Sequence, residues 1–148
     1  MSFDHELLSG SLRDFYDYWN GLRPAPDLFP RHAQISMTGL RPFIPYVSLI
    51  EKRPPDDDYY YRLKGTGFTN VIESDPTGKK VRDVLHESLR ASLLEGLDQV
   101  QSTGVPYLGK AAFDDKNGVH RKYTRLIVPL ADDGKNIDIF LIYGCPEN

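Results

Sequence analysis

Residues 107–143 read YLGKAAFDDKNGVHRKYTRLIVPLADDGKNIDIFLIY, and this stretch decides the fold. Tyr107 to Phe113 is a strand-compatible run that leads into Asp114-Asp115-Lys116-Asn117-Gly118. The closing Asn-Gly is a hairpin signal, because both residue types tolerate positive φ. His120 to Leu130 reads as a long second strand, and Asp132-Asp133-Gly134 turns it into a third at Ile137 to Tyr143. In that last strand Ile137, Ile139, Leu141 and Tyr143 fall on one face, Phe140 and Ile142 on the other. A sheet with one wet face alternates apolar with polar side chains. This strand is apolar on both faces, so the sheet is predicted to be covered on both.

Working outward, Ser88 to Ser102 carries Leu89, Leu93, Leu97 and Val100 at helical spacing. Thr103-Gly104 closes that helix and Pro106 prevents its continuation. Upstream, Tyr46 to Glu51 and Tyr59 to Lys64 are rich in β-formers, and Pro54-Pro55-Asp56-Asp57-Asp58 joins them as an antiparallel hairpin. Gly65-Thr66-Gly67 ends the second strand. In Phe68 to Leu85, Asp75-Pro76-Thr77-Gly78 is a turn signal between short helices. Asp27 to Pro45 is proline-rich, with a short helix predicted within His32 to Leu40.

At the other end, Leu8, Leu12, Phe15, Trp19 and Leu22 recur at steps of four, three, four and three, on one face of a helix stopped by Pro24 and Pro26. Such a stripe must cover something apolar. It can pack on the chain's own sheet, form a dimer seam, or do both. The expected architecture is α+β: a five-stranded antiparallel sheet, helices between strands two and three, and an N-terminal covering helix. Residues 1–26 form the helix and linker, and 27–148 the body.

A chain of 148 residues is about one domain's worth. Its 40% hydrophobic and 26% charged residues are ordinary for a globular protein, which argues against disorder. A formal net charge of -3 supplies no attraction to a polyanion, so no nucleic-acid partner is expected. No apolar run approaches the roughly 20 residues of a membrane span. The first residues, Met1 to Glu6, do not form a signal peptide, and a lone Cys145 makes no internal disulfide. A cytoplasmic protein without membrane contact is expected.

Four local segments add a resemblance. Asp17-Tyr18-Trp19-Asn20-Gly21-Leu22-Arg23, Tyr61-Arg62-Leu63-Lys64-Gly65-Thr66-Gly67, Asp75-Pro76-Thr77-Gly78-Lys79-Lys80 and Val128-Pro129-Leu130-Ala131-Asp132-Asp133-Gly134 occur in this order. They resemble the Tyr-Trp, Arg-Leu-x-Gly-Thr, Thr-Gly and Pro-Leu motifs of a bacterial PAS-like family best represented in alphaproteobacteria. The resemblance runs from Phe15 to Tyr143. It implies a PAS fold, and a stand-alone domain that senses a small molecule or mediates protein contacts. The chain carries no kinase, cyclase or DNA-binding segment, so its output is expected to pass through a downstream signalling protein.

Light-sensing PAS relatives that bind flavin use a cysteine on a central helix. Cys145, expected after the final strand, does not match, and no cofactor is expected. Histidines 5, 32, 86 and 120 form no ligand-spaced pair, so no metal site is written locally. Some PAS domains hold haem through a histidine of the helical middle, where His86 lies; ahead of Glu87-Ser88 it reads rather as a surface or helix-entry residue. The acids cluster in turns, where they suit solvent rather than acid–base catalysis.

Tyr59, Tyr60 and Tyr61 form a run in which Tyr61 and Leu63 are expected to share a face, with Tyr60, Arg62 and Lys64 on the other. These tyrosines can line a pocket or simply build a strand. Arg121 and Arg125 share a face with Tyr123, an arrangement suited to an anionic ligand, a charged interface or a solvated strand. The reading is a non-enzymatic sensory or regulatory module, homodimeric through its N-terminal helix. A small-molecule site is expected between sheet and helices, lined by Tyr61, Arg62, Thr66, His86 and Tyr123. The alternative is a cone-shaped enzyme of the ketosteroid-isomerase or polyketide-cyclase type, which needs a buried acid in a deep pocket.

Overall fold

The computed structural model describes residues 3–44, 46–64, 77–84, 87–114 and 117–147. Helix α1 (Gly10–Gly21) and a single turn α2 (Met37–Leu40) precede the hairpin of β1 (Val47–Arg53) and β2 (Asp58–Lys64). Helices α3 (Val81–Val84) and α4 (Glu87–Thr103) follow, and then β3 (Tyr107–Asp114), β4 (His120–Leu130) and β5 (Ile139–Pro146). The strands form one sheet in the order β2-β1-β5-β4-β3, antiparallel at every pairing.

Both faces of this sheet are covered. On the inner face Leu89, Leu93, Leu97 and Val100 of α4 pack on Ile50, Tyr61, Ile127, Phe140 and Ile142. On the outer face Phe15, Tyr16 and Trp19 of α1 pack on Val47, Leu49, Leu126, Val128, Leu141 and Tyr143. Strand β5 therefore contributes to both layers, with Ile139, Leu141 and Tyr143 outward and Phe140 and Ile142 inward. Ile137 departs from the expected pattern. It precedes β5 rather than beginning it, and its side chain packs on the inner cluster.

Proline in an interior strand normally removes a ladder bond. Pro129 avoids this by position. Leu130 accepts from the N–H of Asp138, towards β5, so its neighbour Pro129 directs its backbone polar groups the opposite way. There β3 has already ended, its last pair being Tyr107 with Ile127. The freed Pro129 carbonyl accepts the indole N–H of Trp19 at 2.8 Å. Two residues on, the Ala131 N–H donates to the Pro30 carbonyl, so the proline-rich segment after α1 closes this end of the sheet.

The turn from β4 to β5 is fixed by Asp133. Its Oδ1 accepts from the backbone N–H of Asn136 at 2.7 Å and of Lys135 at 2.9 Å. These bonds, Asn136 first, favour the ionised carboxyl and hold its pKa at about 2. A folded-state pKa depressed in this way gives a contribution present above the unfolded value of about 4 and lost as pH falls towards 2. Asp133→Ala is expected to lower Tm by a few degrees at neutral pH and to flatten the acid-side loss below pH ~4. Superimposable acid denaturation curves for the two proteins would show that the turn does not use this carboxylate.

Candidate functional site

Strand alternation turns Tyr123, Arg125 and Ile127 of β4 to the inner face, under α4. The residue paired with Arg125 across the β3–β4 ladder is Gly109, which contributes no side chain of its own there. Tyr107 leans over this glycine, and a Cβ at Gly109 would meet its ring at 2.8 Å. On the helix side the same ring lies against Gly96, where a Cβ would come within 2.7 Å of it. Two glycines thus make room for one tyrosine.

The polar groups of this layer are few and placed by the secondary structure. Arg125 Nη1 donates to Ser92 Oγ of α4 over a long 3.4 Å. Tyr59 donates its hydroxyl to Asp98 Oδ1 at 2.6 Å, fastening β2 to α4. Tyr46 and Tyr123 stand with ring centroids 6.3 Å apart. Burial raises the pKa of Tyr61, an effect partly offset by the Arg125 charge. Burial lowers that of Arg125, offset by Tyr61 and Tyr107. Among the described residues no ion pair reaches Arg125, which sits instead among hydroxyls and apolar rings.

A family model described as "PAS domain" matches residues 7–144, nearly the whole chain. The chain belongs to the PAS domain family. Solved structures agree on the fold. A light-oxygen-voltage domain studied with a flavin analogue superposes with a TM-score of 0.57 at 15% identity, over 75% of this chain and 83% of that one. The VqmA dimer of Vibrio cholerae gives 0.55 at 12% identity, over 78% of this chain and 52% of that one. The Rhodobacter sphaeroides LOV protein gives 0.51 at 10%, over 92% and 68%. No curated protein matches in sequence. As a class, PAS domains are sensory and regulatory.

In this PAS domain Tyr61 and Tyr123, two of the sequence-selected residues, meet in the inner cluster. Arg62 does not join them. Leu49 pairs with Leu63 and Ile50 with Tyr61, so Arg62 is the extra residue of a β-bulge. It points outward and pairs with Glu51 at 3.3 Å. The same bulge places Leu63 opposite outward-facing Leu49, so Leu63 and Tyr61 lie on different faces, contrary to simple alternation. Thr66 and His86 lie outside the described residues. Cys145 falls within β5 rather than after it. Its sulfur is 3.4 Å from Ser11 Oγ of α1, on the outer face, away from Tyr61 and Tyr123.

Tyr107, Ser92 and Asp98 carried no sequence signal of their own; only the register of β3 and the turn of α4 bring them to this layer. The buried carboxylate Asp58 is bound by Arg82 and Lys80. Asp138, whose pKa burial raises with help from the Asp132 charge, lies in the β4–β5 turn. Neither resembles the pocket acid that the cone-shaped enzyme fold needs, and family membership stands against that fold. Among the described residues no helix is long and apolar enough to cross a membrane, and no three potential metal ligands cluster.

Proposed function

We propose that this PAS domain is a non-enzymatic cytoplasmic sensor. In this reading it binds a small molecule on the inner face of its sheet beneath α4 and relays occupancy to a downstream protein. The observation that carries the reading is Arg125, set with Tyr61 and Tyr123 in a layer whose other members are Leu, Ile, Val, Ala, Phe and the tyrosines 46, 59 and 107. A layer made only to close a core is better served by apolar side chains, whereas binding sites combine apolar walls with a few placed polar groups. Thr66 and His86 complete the proposed lining. Cysteine-adduct flavin chemistry is not part of the proposal, because Cys145 faces the other side of the sheet.

A homodimer belongs to the same proposal, as VqmA is described as a dimer. The apolar stripe of α1 is spent on the sheet, so the seam would use the outer surface of this layer, where Met37 and Ile44 are exposed. Native mass spectrometry of freshly purified protein, compared with the denatured mass, is expected to report a dimer carrying an extra mass that is lost on denaturation. A bare chain across independent preparations would remove the small molecule from the proposal. A monomer would remove the dimer.

A further inference from the structure

We propose that Arg125 is the ligand-reading residue of the inner face and that the ligand is a small organic monocarboxylate with an apolar or aromatic body. The inference deepens the binding role just proposed and rests on it. A guanidinium has five donors and cannot shed its charge, so enclosing it among apolar groups is unfavourable unless an anion or several acceptors meet it. Several arginines of this domain, themselves largely exposed, have a carboxylate partner. Arg53 and Arg62 share Glu51, and Arg82 and Lys80 share Asp58. Arg125 differs: among the described residues its hydrogen-bond partner is the neutral Ser92 hydroxyl at 3.4 Å, beyond the usual range of a good N–H···O bond.

The surroundings select the kind of anion. The planar fork of arginine matches a carboxylate bidentately. One half-buried guanidinium balances one negative charge. Beside the fork, Gly109 carries no side chain of its own and the Tyr107 ring lies over it, while Ser92 Oγ accepts from Arg125 and donates to the Leu89 carbonyl. Tyr61, Tyr123 and Ile127 present apolar surface to the remainder of such a molecule.

The test uses the full chain with sodium benzoate and sodium hexanoate as probes, benzamide as a neutral isostere of benzoate, and inorganic phosphate. Calorimetric titration and thermal shift are expected to show saturable one-site binding of at least one carboxylate. Benzamide and phosphate should bind at least tenfold more weakly. Arg125→Met should abolish the response, and Arg125→Lys, which keeps the charge but loses the fork, should weaken it at least several-fold. In ¹⁵N-labelled protein the Arg125 Nε–Hε resonance, assigned through Arg125→Lys, should move with the probe; this readout holds even if Arg125→Met does not fold.

Equal binding of benzamide, tighter binding of phosphate, an unmoved Arg125 resonance, or no saturable response to either carboxylate overturns the inference. The native mass measurement separates the two levels. A neutral or cationic bound molecule would leave the sensor reading standing and defeat this one. A bare chain that also ignores the probes would defeat both.

Discussion

Trp19→Ala is expected to destabilise the domain by about 3–5 kcal/mol, the upper range for loss of a buried aromatic side chain. Trp19 is fully buried, its ring beside Tyr16 with centroids 5.7 Å apart and under the Arg23 guanidinium at 5.0 Å. Its indole N–H supplies the partner of the Pro129 carbonyl, so truncation leaves both a void and an unpaired buried acceptor. Trp19→Phe separates the two effects. It keeps much of the volume, loses the hydrogen bond, and should cost about 1–3 kcal/mol.

Domains of this size have only about 5–15 kcal/mol in hand. Deleting residues 1–22 therefore goes further, exposing Leu49, Leu126, Val128 and Leu141 together, and the remainder is expected to aggregate. Urea unfolding decides the matter. A change under about 1 kcal/mol for Trp19→Ala, or a soluble and equally stable truncated chain, would mean that the outer layer is an accessory.

The second large effect lies on the inner face. Gly96→Val is expected to destabilise by roughly 2–4 kcal/mol and to lift α4 from β3 and β4. A Cβ at 96 would sit 2.7 Å from Tyr107 Cδ1 and 2.8 Å from Ile127 Cδ1. Helix propensity pulls the other way, because replacing an interior glycine by alanine gains about 1 kcal/mol. The clash wins for valine because branching at Cβ adds bulk where the Tyr107 ring cannot retreat, Gly109 and β3 lying behind it. Gly96→Val combined with Tyr107→Ala should recover part of the loss, giving a coupling of the two sites. Additive single effects in that cycle would show that the helix does not rest on this ring.

Much of this was legible in the sequence, for identifiable reasons. The two-sided apolar pattern of β5 announced two covering layers, and the Leu89, Leu93, Leu97, Val100 stripe named the face of α4 that is buried. Both are periodic signals, and periodicity is what a chain displays openly. The bulge at Arg62 is different. Nothing in Tyr-Tyr-Tyr-Arg-Leu marks one residue as surplus; that is set by how β2 meets β1, and it reversed the placement of Leu63. The proline-rich segment after α1 gave no period either, yet Pro30 closes the sheet where Pro129 leaves it open. Arg125 was visible as a candidate beside Tyr123, but that it faces α4 rather than solvent depends on which side of β4 the helix returns to. Strand registers and helix placement are long-range facts, and they decide which side chains meet at the site.

Those long-range pairings also impose an order in time. The contact from Trp19 to Pro129 spans 110 residues, and β1 finds its central neighbour in β5, near the far end of the sequence. On the ribosome, α1 is made first and its seat last. At synthesis rates of about 5–20 residues per second, the Phe15–Trp19 stripe stays exposed for about 5–20 seconds before β4 and β5 emerge. The helix that seals the finished domain is, during its making, the segment most in need of a temporary partner.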